Sequence, residues 1–310
     1  MVEVLLILAA ALSFLFGWNN SSYLIGNMAG SGTLSLRASI VVTALGMLAG
    51  VVFEGQKMLT SLVGSLAFPV SGWGVTLTFA LSIVLIFALT ATKLPAPVSS
   101  AMVGGFLGFA VGMGATVNVG QTELVVTFWF VAPLLTAAAA FAIHRVITRL
   151  ISSLSLIAAD SFNRVGMVAC SFAVSYTLGA NNLGLIAGTS LSGSPVGNAA
   201  LVASALALIA VAGMLLLGRG AVSGTVGDRL LSLSPQGVIS VFASSAILVW
   251  VGTQLAVPTS ISQCVLGGML GAAFSQRTAF VNVKLAYEAL STWVLIPTIA
   301  FVLAFMIVYA

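Results

Sequence analysis

The chain has 310 residues, of which 60% are hydrophobic and only 5% charged, with a formal net charge of +4. A soluble domain carries about 25% charged residues, so the composition excludes a water-soluble enzyme or binding module and predicts an all-α polytopic membrane protein. The basic residues form no cluster suited to nucleic acid, and no Gly-x-x-x-x-Gly-Lys loop is present to hold a nucleotide.

The first apolar stretch, near 3–33, carries Glu3 and no Lys or Arg before Arg37. It lacks the basic start of a signal peptide and reads as a retained helix, interrupted over 17–22 by Gly17-Trp18-Asn19-Asn20-Ser21-Ser22. Further stretches follow near 38–56, 74–92, 96–118 and 124–143. The fourth is entered through Leu94-Pro95-Ala96-Pro97-Val98-Ser99-Ser100, ahead of Gly104-Gly105. A polar bridge over 144–164 holds His144, Arg145, Arg149, Asp160 and Arg164, and His144 reads as a loop residue on it. The second half opens with 165–191, interrupted over 179–182 by Gly179-Ala180-Asn181-Asn182, and continues with 199–217, 237–256, 259–276 and 289–309. Its fourth stretch is entered through Val257-Pro258-Thr259-Ser260-Ile261-Ser262-Gln263, ahead of Gly267-Gly268.

The two halves repeat each other. Gly17 and Gly179 stand 162 residues apart, Gly104 and Gly267 163, and Trp129 and Trp293 164, with Pro133 and Pro297 following the tryptophans. The expected organisation is one intertwined transport domain built from repeat 1 (1–150), a cytoplasmic connector (151–164) and repeat 2 (165–310). Five crossings per half with the N-terminus outside place nine of the ten basic residues in the cytoplasm: Arg37, Lys93, Arg145, Arg149, Arg164, Arg219, Arg229, Arg277 and Lys284, with Lys57 outside. An odd number of crossings makes the repeats inverted and puts both termini on the outer face of a plasma membrane. The fourth element of each half is either a net crossing or a re-entrant hairpin; charge placement fits both.

Helix breaks within a bilayer are tolerated where they line a cavity. The two breaks and the two Pro/Ser-containing elements therefore supply the candidate substrate-binding residues: Asn20, Ser21, Ser99, Ser100, Asn181, Asn182, Ser260, Ser262 and Gln263. Helix starts after each break would aim N–H groups at one point, and an uncharged, donor-rich pocket of this kind suits an anion. Asn19, Asn20 and Asn182 are candidates for a coupling ion. The competing reading makes the same side chains hydrogen-bonding contacts between helices. Cys170 and Cys264 have no metal-ligand spacing, and neither a metal site nor an enzymatic nucleophile with a base is expected. Glu54 with Lys57 and Lys284 with Glu288 read as interfacial ion pairs. Gly46, Gly50, Gly104, Gly108, Gly267 and Gly271 read as close-packing positions.

In order along almost the whole chain, Gly17-Trp18-Asn19-Asn20-Ser21, Leu34-Ser35-Leu36-Arg37, Gly179-Ala180-Asn181-Asn182, Pro258-Thr259-Ser260-Ile261-Ser262-Gln263, and Val281-Asn282-Val283-Lys284 before Trp293 resemble the inorganic phosphate transporter (PiT) family and its sulfate-permease relatives. The resemblance implies a secondary permease: ion-coupled symport of a tetrahedral oxyanion, inorganic phosphate first, by alternating access. It implies no cofactor beyond Na+ or H+ as coupling ion, and a homodimer is compatible with it. The chain departs from the family's pattern where Asn20 and Asn182 replace aspartates, where Tyr23 and Leu185 replace later asparagines, and where Ser100 and Gln263 replace a hairpin histidine. Without those carboxylates a sodium site is weakened and the proton of hydrogen phosphate loses its acceptor. The alternatives are a sulfate permease with proton or no sodium coupling, or an anion channel.

Overall fold

A backbone surrounded by hydrocarbon must satisfy its own N–H and C=O groups, which drives long apolar runs into helices. The computed structural model describes residues 2–68, 71–91, 96–191, 199–217, 233–277 and 283–309. Repeat 1 contributes α1 (Val2–Gly30), α2 (Leu36–Glu54), α3 (Gly72–Ala91), α4 (Val98–Gly112) and α5 (Val119–Ile151). Repeat 2 contributes α6 (Leu156–Leu178), which runs through a π-helical turn (Gly179–Leu183) into α7 (Gly184–Leu191), then α8 (Ala199–Leu216), α9 (Pro235–Gln254), α10 (Ile261–Gln276) and α11 (Val283–Tyr309). Among the described residues the only sheet is a two-stranded antiparallel pair, β1 (Ala67–Phe68) with β2 (Thr116–Val117). Helix starts follow sequence: Ser35, Ser155 and Ser234 each accept a backbone N–H three residues on, from Ala38, Ala158 and Gly237.

Seven of the described helices are long and apolar enough to cross a membrane. The helices α4 and α10 have 15 and 16 residues, roughly 22–24 Å at 1.5 Å per residue, less than the ~30 Å hydrocarbon core.

The interruptions are gentler than unwinding. The helix α1 continues through 17–22, and its polar side chains bond back to their own helix: Asn20 Nδ2 donates to Phe16 O (2.9 Å), Ser21 Oγ to Trp18 O (2.6 Å) and Ser22 Oγ to Asn19 O (3.2 Å). The second interruption is the π-helical turn, one of the forms in which a helix accommodates a functional kink. The polar bridge is also mostly helix: only 152–155 separate α5 from α6, and His144 is a buried residue of α5 rather than a loop residue. Lys93, Leu94, Pro95, Arg219, Arg229, Val281 and Asn282 lie outside the described residues.

The halves pack reciprocally. The helix α4 lies along α11 and α10 along α5; α1 lies along α8 and α6 along α2. At these crossings a glycine of one helix sits on a carbonyl of the other. A Cβ on Gly104 would collide with Pro297 O, and one on Gly267 with Pro133 O; Gly17 meets Ala210 O, and Gly179 meets Met47 O. Such contacts bring backbones close enough for Cα–H···O interactions. Each pair maps onto its partner by the repeat offset, so each half contributes half of every crossing.

Candidate functional site

The strongest construction surrounds the chain between α9 and α10. Pro258 disfavours helix in the residue before it, and Val257–Ser260 belong to no helix or strand after Ala256, which takes a left-handed φ of 53°. A non-helical stretch buried here has no ladder for its backbone, so side chains from elsewhere must satisfy it. Ser61 Oγ donates to Ala256 O at 2.8 Å. Asn181 Nδ2 donates to Val257 O at 3.0 Å, Trp129 Nε1 to Pro258 O at 3.0 Å, and Asn182 Nδ2 to Thr259 O at 3.0 Å. Consecutive carbonyls are thus held by residues of both repeats. Asn181 also accepts from Thr259 N (2.9 Å) through Oδ1 and donates to Thr253 Oγ1 (3.1 Å).

Repeat 1 shows the corresponding bond. Asn19 Nδ2 donates to Thr90 Oγ1 at 3.0 Å, and Asn19 and Thr90 stand 162 and 163 residues before Asn181 and Thr253. The helix α1, which carries Asn19 and Asn20, touches α10 and also α7, the helix that follows the π-helical turn.

The predicted residues divide into two groups. Asn181 is saturated by the bonds above. Ser21 is bonded to its own helix, and Ser260 and Ser262 pair with each other at 3.0 Å while Ser260 Oγ also caps α10 at Gln263 N (3.5 Å). These residues hold the local structure. By contrast, Asn19 Oδ1, Asn20 Oδ1, Asn182 Oδ1, Ser99 Oγ, Ser100 Oγ and Gln263 Nε2 are buried with no hydrogen-bond partner among the described residues. Tyr23 OH joins them from one turn beyond Asn20 on α1. Leaving such an atom unpaired costs about 1–3 kcal/mol each; the hydroxyls of Ser13, Thr43, Ser82, Ser171, Ser175 and Ser245 are buried and unpaired in the same way.

The orientation of the amides changes the chemistry expected from sequence. Phe16 O and Thr259 O can only accept, so the Nδ2 of Asn20 and of Asn182 must face them. Their free atoms are carbonyl oxygens. The unpaired atoms are therefore mixed in kind rather than all donors: acceptors on the asparagines, a donor on Gln263, and two-way hydroxyls on Ser99, Ser100 and Tyr23. No helix N-terminus follows the first interruption, since α1 does not break there.

Sequence reasoning missed Thr90 and Thr253. Applying the repeat offset to every buried polar residue would have paired them, as it pairs Asn20 with Asn182 and Ser100 with Gln263.

The pattern of the phosphate transporter family matches residues 16–160 and again 156–304. A protein of Methanocaldococcus jannaschii, provisionally named a phosphate permease, is 23% identical over 99% of this chain and 96% of its own length. A solved structure described as the sodium-dependent phosphate transporter superposes with a TM-score of 0.82 at 20% identity, covering 99% of this chain and 98% of that one.

Proposed function

This chain belongs to the phosphate transporter family, a family of transporters rather than enzymes, and we propose on that premise that it is a secondary permease carrying inorganic phosphate across the plasma membrane by alternating access. The observation that carries this reading is the pair of free acceptors, Asn20 Oδ1 and Asn182 Oδ1, at repeat-equivalent positions. Hydrogen phosphate presents both acceptor oxygens and a P–OH donor. Ser99, Ser100, Tyr23 and Gln263 would donate to its oxygens, and an asparagine carbonyl would accept its proton. Sulfate carries no proton at neutral pH, so the same carbonyls would face its oxygens without a hydrogen between them. That repulsion favours phosphate over the sulfate reading.

Sodium is the coupling ion the residues suit better than a proton. Amide carbonyl oxygens of Asn19, Asn20 and Asn182 are hard neutral ligands for such a cation. None of the candidate site residues is an Asp, Glu or His that would carry a proton. Saturable alternation between two faces fits a pair of inverted repeats packed about a shared site.

The test is uptake of radiolabelled phosphate and sulfate into proteoliposomes under imposed sodium or pH gradients. Sodium-driven, saturable phosphate uptake is expected. Sodium-independent sulfate uptake would overturn the assignment of both substrate and coupling ion, and non-saturating flux would replace the carrier by a channel.

A further inference from the structure

A polar cavity, wide open to the surface, lies away from the asparagines between the ends of α5 and α10. Its volume is about 550 Å³, and it is lined by His144, Arg145, Thr148, Ser234, Ser275, Gln276 and Arg277. Among the described residues neither Arg145 nor Arg277 has a carboxylate within ion-pair distance. Two uncompensated guanidiniums at one cavity make a local positive potential, and a guanidinium fork matches phosphate oxygens in pairs.

The cavity wall is held in place by its own contacts. His144 is 4% exposed, and its Nδ1 lies 2.8 Å from Ser275 Oγ, which fixes the ring against α10. Arg145 rests over the Phe141 ring, 5.2 Å from its centroid. Gln276 Nε2 donates to Ser234 Oγ at 3.0 Å and ties α10 to the start of α9. Arg277 takes a left-handed φ of 55° at the end of α10, where a glycine is the usual residue. A cation there gains from the helix dipole, but a glycine followed by a lysine would do the same without the backbone cost.

The helix α10 connects this cavity to the candidate substrate site. It begins at the site with Ser260, Ser262 and Gln263 and ends at the cavity with Ser275, Gln276 and Arg277, roughly 20 Å further along the helix. Arg145 and Arg277 fall on the face that the positive-inside rule assigns to the cytoplasm.

The geometry points to a second binding site for a phosphate-type anion, built from Arg145 and Arg277 beside the fixed His144–Ser275 pair, at the cytoplasmic end of α10, with the Thr148 hydroxyl turned back to His144 O at 2.6 Å. This inference rests on the topology expected for the permease only for its sidedness; binding itself is independent of transport. The anion is either free inorganic phosphate or the headgroup phosphate of an anionic phospholipid, since both present the same oxygens.

Equilibrium binding of radiolabelled inorganic phosphate to the purified full-length protein in detergent, together with mass-spectrometric counting of retained phospholipid, tests it. Wild type is expected to bind two phosphates per chain. The Arg145→Gln/Arg277→Gln variant is expected to keep one, and Asn182→Leu to keep the other. Thr148→Asp, which places a carboxylate at the cavity's exposed edge, is expected to act like the arginine pair and guards against misfolding of that variant. If wild type instead binds one phosphate but retains a phospholipid that both cavity variants lose, the site stands with a lipid headgroup as its ligand. Equal phosphate and lipid counts in wild type and both cavity variants overturn the site. Loss of transport in Asn182→Leu bears only on the permease reading, so the two can fail separately.

Discussion

Asn181 holds both sides of the peptide chain at Thr259: its Oδ1 accepts from Thr259 N at 2.9 Å while its Nδ2 donates to Val257 O at 3.0 Å. One neutral amide thereby replaces the ladder that a buried non-helical segment would otherwise lack. Asn181→Ala leaves the buried Thr259 N–H unpaired, at about 1–3 kcal/mol, while Val257 O keeps the Thr259 hydroxyl as a donor at 3.0 Å. We expect this variant to lose about 1–3 kcal/mol of stability and, with it, phosphate uptake. A thermal melt of the purified protein checks the first and proteoliposome uptake the second. A melt unchanged from wild type would remove Asn181 from its structural role.

Asn182 next to it has two ends with different roles. Its Nδ2 holds Thr259 O and its Oδ1 is free, so Asn182→Leu is expected to cost about 1–3 kcal/mol and to reduce phosphate uptake to background while the protein remains monodisperse on size exclusion. Wild-type uptake by such a variant would remove Asn182 from the site.

Restoring the family's carboxylate offers a separate test of the cation. In an Asn20→Asp/Asn182→Asp variant, two buried charges are added where neutral carbonyls stood, and a bound cation offsets their desolvation. Sodium binding to the native state raises stability by mass action. Added sodium is therefore expected to raise the melting temperature of this variant more than that of wild type, with potassium as the control. Equal responses to the two salts would argue against a cation at these positions.

Tyr23→Phe deletes one oxygen and nothing else. Because Tyr23 OH is buried and unpartnered, its removal is expected to raise the KM for phosphate about tenfold, equivalent to about 1.4 kcal/mol, with little change in Vmax. A more stable protein with unchanged KM would make Tyr23 a core residue.

The glycine crossings predict a contrast. Gly104→Ala and Gly267→Ala place a methyl on the backbone carbonyls of Pro297 and Pro133 and are each expected to cost about 1–3 kcal/mol. At Gly120 an added Cβ meets only Asn118 Oδ1 at 3.7 Å, and Ala there should be neutral or stabilising by up to about 1 kcal/mol. Melting temperatures of the three variants decide it.

Much of this architecture was legible because it is written twice. Composition gave the membrane, and the offset between Gly104 and Gly267 gave the repeat. The Pro258-Thr259-Ser260 run marked the entry to the fourth element of the second half, which begins as helix at Ile261. What could not be read was the state of Asn20: a Gly and two Asn in an apolar helix suggest a break, yet Gly17 serves the approach of Ala210 O and Asn20 bonds to Phe16 O. Nor could sequence say which end of each amide would be free. That depends on carbonyls brought up by tertiary contact, Thr259 O for Asn182 in particular. The unpaired Tyr23 OH was invisible for the same reason.

The reciprocal glycine crossings carry one more consequence. Gly104 needs Pro297 and Gly267 needs Pro133, while Gly17 needs Ala210 and Gly179 needs Met47; none of these glycines finds its partner in its own half. A polypeptide of half this length would contain every surface required, provided a second copy inserted upside down beside it. Such a chain would depend on equal numbers of molecules facing each way. Joining the two copies fixes that ratio at one to one and frees each half to diverge, which is why α4 can carry Ser100 where α10 carries Gln263.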